Sequence, residues 1–171
     1  MNAASAKLTL RQFALQKAGV LEFFITFTIN FVIAIGVFWP AQSLPLIGGY
    51  SLLSMLGPMC FILPLASSFF GVANAARVRS QGIVDIPWPN DAPWQRYGLQ
   101  IGFVRGLCSS VVTIVMLWIT ASMLGNLLLP KWLCVVGIGL LSGILGYAYH
   151  STAILATAIR FPAAPSPLSR G

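Results

Sequence analysis

VLEFFITFTINFVIAIGVFW, residues 20–39, decides the fold, because Glu22 is its lone ionisable residue and Trp39 with Pro40 closes it. A hydrocarbon layer about 30 Å thick needs roughly 20 helical residues, which is the length of this run. Three further apolar runs follow at 47–76, 98–124 and 132–158. The pattern predicts an all-α integral membrane four-helix bundle. It divides the chain into an N-terminal segment 1–19, a four-span domain 20–158 with a connector at 77–97, and a tail 159–171 expected to be disordered.

Composition agrees with that class. Hydrophobic residues make up 57% and charged residues 8%, against averages of about half and a quarter in soluble domains. The cations Lys7, Arg11, Lys17, Arg77, Arg79, Arg96, Arg105, Arg160 and Arg170 all fall on one side of the spans, and only Lys131 falls on the other. By the positive-inside bias, both termini and the connector are expected in the cytoplasm, with the chain multi-pass in a cell (cytoplasmic or inner) membrane. A cleavable signal is not expected, since the first run is long and ends in Trp-Pro rather than a small-residue site. The net charge of +7 lies beside the spans and lacks an aromatic-basic or helix-turn-helix pattern, so it points to anionic lipid rather than nucleic acid.

Within the second run, Pro58 and Pro64 predict a bent helix, because each ring removes one backbone hydrogen bond. The connector gathers Asp85, Trp88, Asp91, Trp94 and Arg96 among Pro87, Pro89 and Pro93. It is expected to be extended, either lying along the membrane interface or acting as a cytoplasmic docking loop. Gly98, Gly102 and Gly106 on the third run, and Gly139, Gly143 and Gly146 on the fourth, form small-residue faces at helical spacing. Such faces let helix backbones approach closely.

The chain also divides into two similar halves. Leu44-Pro45 and Leu129-Pro130 occupy equivalent turns, and Leu52-Leu53-Ser54 is echoed by Leu140-Leu141-Ser142. Two repeated helical hairpins would produce this likeness, and so would shared hydropathy alone.

Polar groups inside apolar runs are the candidate functional residues, because an ionisable side chain at mid-bilayer costs roughly 2.5–3.5 kcal/mol. Glu22, Thr26 and Asn30 form one stripe, Arg105, Ser109 and Thr113 a second, and Ser142, Gly146 and His150 a third. Helical rise puts Glu22 and Arg105 at similar depths, which predicts a salt bridge between the first and third spans, with snorkelling to the headgroups as the alternative. The same rise puts Asn30 level with His150.

One histidine in 171 residues excludes bis-histidine haem and any multi-histidine metal centre built by this chain alone. Cys60, Cys108 and Cys134 are far apart, with no CxxC, and read as small buried hydrophobes. No cofactor is expected, and an enzyme is not expected. Two functions remain: a non-catalytic accessory, scaffold or assembly subunit, or a small oligomeric transporter or channel subunit with an intramembrane polar path. Besides the lipid bilayer, the expected partner is another membrane protein or a second copy of the chain. Stripes that face a cavity favour transport, and stripes consumed in dry helix contacts favour the scaffold.

Overall fold

A computed structural model of the chain describes residues 8–89 and 92–162. Among the described residues, four helices are each long and apolar enough to cross a membrane: α1 Leu10–Val37, α2 Leu52–Ser80, α3 Trp94–Leu124 and α4 Lys131–Arg160. Asp91 and residues 163–171, most of the expected disordered tail, lie outside the described residues.

α1 starts ten residues before the apolar run, inside the segment read as an N-terminal extension. Thr9 explains the early start. Its hydroxyl accepts from the Gln12 amide, and the Gln12 side chain accepts from the Thr9 amide, each at 3.1 Å. This reciprocal cap satisfies two of the amides that a helix start leaves bare. The connector supplies a third partner, since Asp85 Oδ1 accepts from the Leu10 amide at 2.8 Å. Leu8 also bridges Val84 in parallel. The first turns are then buried through Leu10, Phe13, Ala14 and Ala18, and Phe13–Ala18 is wound as a π-helix. Asp85→Ala should cost about 1 kcal/mol through loss of this cap and its charge at the helix N-terminus. Faster amide exchange confined to Leu10–Phe13 is the expected signature.

The helices do not pack in chain order. α2 and α4 form a central pair; α1 lies against α4 and α3 against α2, whereas the backbones within each hairpin share no extended contact. Exchanging the two hairpins leaves this scheme unchanged. At one end, the two connections join as antiparallel strands, β1 Ser43–Pro45 and β2 Leu128–Pro130, with Leu44 opposite Leu129. Asn126 locks this strand end, donating to the Ile47 carbonyl at 2.9 Å and accepting from the Ile47 amide at 3.0 Å. The opposite end carries Arg11, Arg77, Arg79, Arg96 and Arg160 and is the basic end.

Two apolar clusters fill the interior. One, near the strands, joins Phe38, Leu44, Leu56, Met59, Val135 and Ile138. The other, at the basic end, joins Leu10, Phe13, Ala75, Val78, Val84 and Ile154. α2 runs without interruption through Pro58 and Pro64. Outer faces are apolar and open: Phe24, Val32, Ile62, Val104, Trp118 and Ile144 are each more than half exposed. Cys108 lies on such a face and is exposed, correcting its expected burial, whereas Cys60 and Cys134 are buried.

The connector is shorter than expected. Trp94, Arg96 and Tyr97 belong to the first turn of α3, leaving residues 81–93 as the link, since Pro93 precedes a helix start that needs no amide from it. Arg79 organises this link. Only 1% exposed, it donates to the carbonyls of Ile86, Pro87, Thr157 and Phe161 and to the Thr157 hydroxyl. The Trp88 ring lies 4.9 Å from its guanidinium carbon.

Candidate functional site: a carboxylate–imidazole pair under an apolar cleft

The polar stripe of α1 has two destinations. Thr26 faces α4, where its hydroxyl donates to the Ser142 carbonyl at 3.2 Å and the Ser142 hydroxyl donates back to the Thr26 carbonyl at 3.2 Å. Asn30 Nδ2 turns down its own helix to the Thr26 carbonyl at 2.9 Å. Glu22 faces the gap between α1 and α2. Its Oε1 accepts from the Ser67 hydroxyl at 2.8 Å, and its Oε2 lies 3.5 Å from His150 Nδ1. The glutamate side chain is 14% exposed and the imidazole 6%. Neither imidazole nitrogen has a hydrogen-bond partner.

Above this pair, the separation of α1 from α2 leaves a cleft of about 540 Å³. One wall is Ile25, Ile29 and Ile33; the facing wall is Met55, Met59 and Ile62. Glu22 and Ser67 stand toward the basic end and Ser54 toward the strand end, with Asn30 between. Wall residues Ile29 and Ile62 are 52% and 60% exposed, so the cleft opens sideways along the bundle.

The expected Glu22–Arg105 salt bridge is absent. α1 and α3 lie on opposite sides of the α2–α4 pair, so equal depth does not bring their charges together. Neighbouring residues on the central helices divide the work. Ser67 and His150 face Glu22, while Ser68 and Tyr149 serve Arg105, whose Nη1 donates to the Ser68 hydroxyl at 3.2 Å and the Tyr149 carbonyl at 3.0 Å. Ser109 joins them, 3.1 Å from the Tyr149 hydroxyl. The expected Asn30–His150 match is corrected too, because Glu22 is the residue of α1 that meets His150. The reason is the early start of α1, which moves Glu22 from the helix entrance to a position about 18 Å from Leu10 and 22 Å from Val37.

Both glycine faces are filled from within. Phe61, Leu65 and Phe69 of α2 lie against Gly106, Gly102 and Gly98, and Phe27 and Phe23 of α1 lie against Gly139 and Gly143, with Thr26 at Gly146. In one pair the odd-numbered helix carries the aromatics, and in the other it carries the glycines. The connector residues are also engaged: Asp85 caps α1, Trp88 packs on Arg79 and Phe161, and Trp94 lies 5.7 Å from Phe69. Arg96 is exposed.

Ser67, Ser68 and Gly71 join the sites only in the fold; the one sequence signal for them is the Ser67-x-x-x-Gly71 spacing, the same small-residue device. A Cβ at Gly71 would lie 2.7 Å from the His150 carbonyl, so the glycine permits the close crossing that brings Ser67 and His150 to Glu22. Among the described residues, no three His, Cys, Asp or Glu side chains converge to hold a metal ion. Against this geometry, no family model, no curated protein and no solved structure matches the chain.

Proposed function

We propose that the chain is a small membrane transporter subunit that holds a lipophilic ligand in the α1–α2 cleft, with Glu22 and His150 as its titratable site. The observation that carries this reading is Glu22 itself, a carboxylate near the middle of a long apolar helix, facing a cleft and backed by a buried imidazole whose Nδ1 lies 3.5 Å from its Oε2 and whose nitrogens make no hydrogen bond. A carboxylate so placed in hydrocarbon is costly and marks a functional site. The one-sided distribution of Lys and Arg supports insertion with the basic end toward the cytoplasm. The helix pairing scheme and the register of the strands support descent from two repeated hairpins, although the exchanged glycine faces show that such halves have diverged in packing.

The scaffold reading has less behind it, since the glycine faces and Trp88 make their contacts within the chain. No catalytic step is assigned.

Filling the cleft tests the proposal. Protein taken from its own membrane into lipid nanodiscs should retain a small lipophilic molecule that mass spectrometry detects in solvent extracts. Ile29→Trp should reduce its occupancy about tenfold, the equivalent of about 1.4 kcal/mol, while the protein stays monodisperse. Identical extracts from the two proteins would refute a ligand cleft.

A further inference from the structure

We infer that the ligand is an amphipathic organic monocation and that it enters in exchange for one proton. This rests on the cleft reading above and adds the charge and stoichiometry of what is bound.

The charges facing the site decide its sign. Among the described residues, Glu22 is the one formally charged side chain lining the cleft. From α2, Ser67 is the group that meets it. From α4, His150 meets it, while Tyr147 and Ser151, further along, pack at Gly19. From α3 nothing reaches it, because Arg105 is held by Ser68 and Tyr149. On α1 itself, Lys17 lies five residues toward the basic end and is exposed. At the strand end, Lys131 Nζ donates to the Trp39 carbonyl at 3.2 Å. An anion entering the cleft would therefore meet a carboxylate and no cation.

Charge balance then gives the count. In apolar surroundings a net charge is costly, whereas a compensated pair is tolerated. With one proton held between Glu22 and His150, the pair is neutral. A monocation that enters restores neutrality only if that proton leaves, so the site carrying a proton plus the cation becomes the site carrying the cation plus a proton released to water. Nothing is oxidised, and no covalent bond other than that to the proton changes.

The shape completes the description. From Glu22 to Val37 the cleft follows α1 for about 22 Å. Its walls are branched aliphatic and methionine side chains, which suit a long, flexible apolar body. Its lateral opening admits a molecule already dissolved in the bilayer, and the cationic head would come to rest at Glu22.

Three probes of one chain length separate charge from hydrophobicity: dodecyltrimethylammonium, dodecanol and dodecyl sulfate, each titrated into the full chain in phosphatidylcholine nanodiscs and into empty nanodiscs. The cation should bind at least about tenfold more tightly than the alcohol, and the sulfate should bind least. An indicator dye in weakly buffered solution should report one proton released per cation bound. Glu22→Gln should remove both the preference and the release, and Glu22→Asp should keep them. If the alcohol binds as well as the cation to the wild-type protein, or the cation binds without proton release, the inference fails while the cleft reading stands. If no probe binds above empty nanodiscs, both fail. The wild-type comparison decides the matter even if Glu22→Gln does not fold.

Discussion

Arg79→Met should unfold the basic end of the molecule, at a cost of at least about 3 kcal/mol, because hydrogen bonds to a charged donor are worth roughly 1.5–3 kcal/mol each and buried acceptors left bare cost a similar amount. Four carbonyls and one hydroxyl converge on this guanidinium, from the connector, from α4 and from the residue that follows α4. No carboxylate pairs with it among the described residues. Methionine keeps much of the volume and none of the donors, so loss of bonding rather than a cavity dominates. Arg79→Lys keeps the charge without the planar fork and should recover only part of the loss. Thermal unfolding in mild detergent, together with proteolysis of residues 81–93, measures both effects. An Arg79→Met protein that melts with the wild type and keeps this link protected contradicts the role.

Comparable in size is the effect of adding one methyl group to the α3 face. A Cβ at Gly106 would lie 2.6 Å from the Phe61 carbonyl, and one at Gly102 would lie 2.7 Å from the Leu65 carbonyl. Those obstacles are backbone, so the helices have to separate. Gly106→Ala and Gly102→Ala should each cost about 1–3 kcal/mol, the usual range for overpacking. Gly36 and Gly137 provide the control, as a Cβ at either meets nothing within 4 Å. Alanine there should leave stability unchanged or raise it by up to about 1 kcal/mol through helix propensity. Equal losses at all four positions would point to a backbone effect and against interhelical contact. Melting temperatures of the four variants in one detergent are the measurement.

Much of the architecture is readable from residue type alone. Four uninterrupted apolar runs make four helices, and the spacing of the glycines identifies a close-packing face. Hydropathy, however, specifies that a helix exists and not which helix it touches. Nothing in the first run names α4 as its neighbour, and the expected Glu22–Arg105 pair reflects depth alone, whereas α2 and α4 stand between the helices that carry the two charges. The start of α1 was obscured by Arg11 and Lys17, whose charges mask an apolar face made by Leu10, Phe13, Ala14 and Ala18. That shift carried the site with it. Glu22 and His150 were both legible as costly polar groups, yet Ser67 was not, because a serine in an apolar helix usually bonds its own backbone. The role of Arg79 was hidden for a different reason: its partners are carbonyls, which leave no mark on residue type.

The pairing of α1 with α4 has a consequence for biosynthesis. Of the four helices, a ribosome makes α1 before the others and α4 after them, so the earliest of the four is matched with the latest. Phe23 and Phe27 have no glycine face to meet, and Glu22 no imidazole, until α4 has been translated. During that interval the nascent α1 is an apolar helix carrying a carboxylate whose α4 contacts do not yet exist, so its packing is completed after synthesis rather than as it emerges.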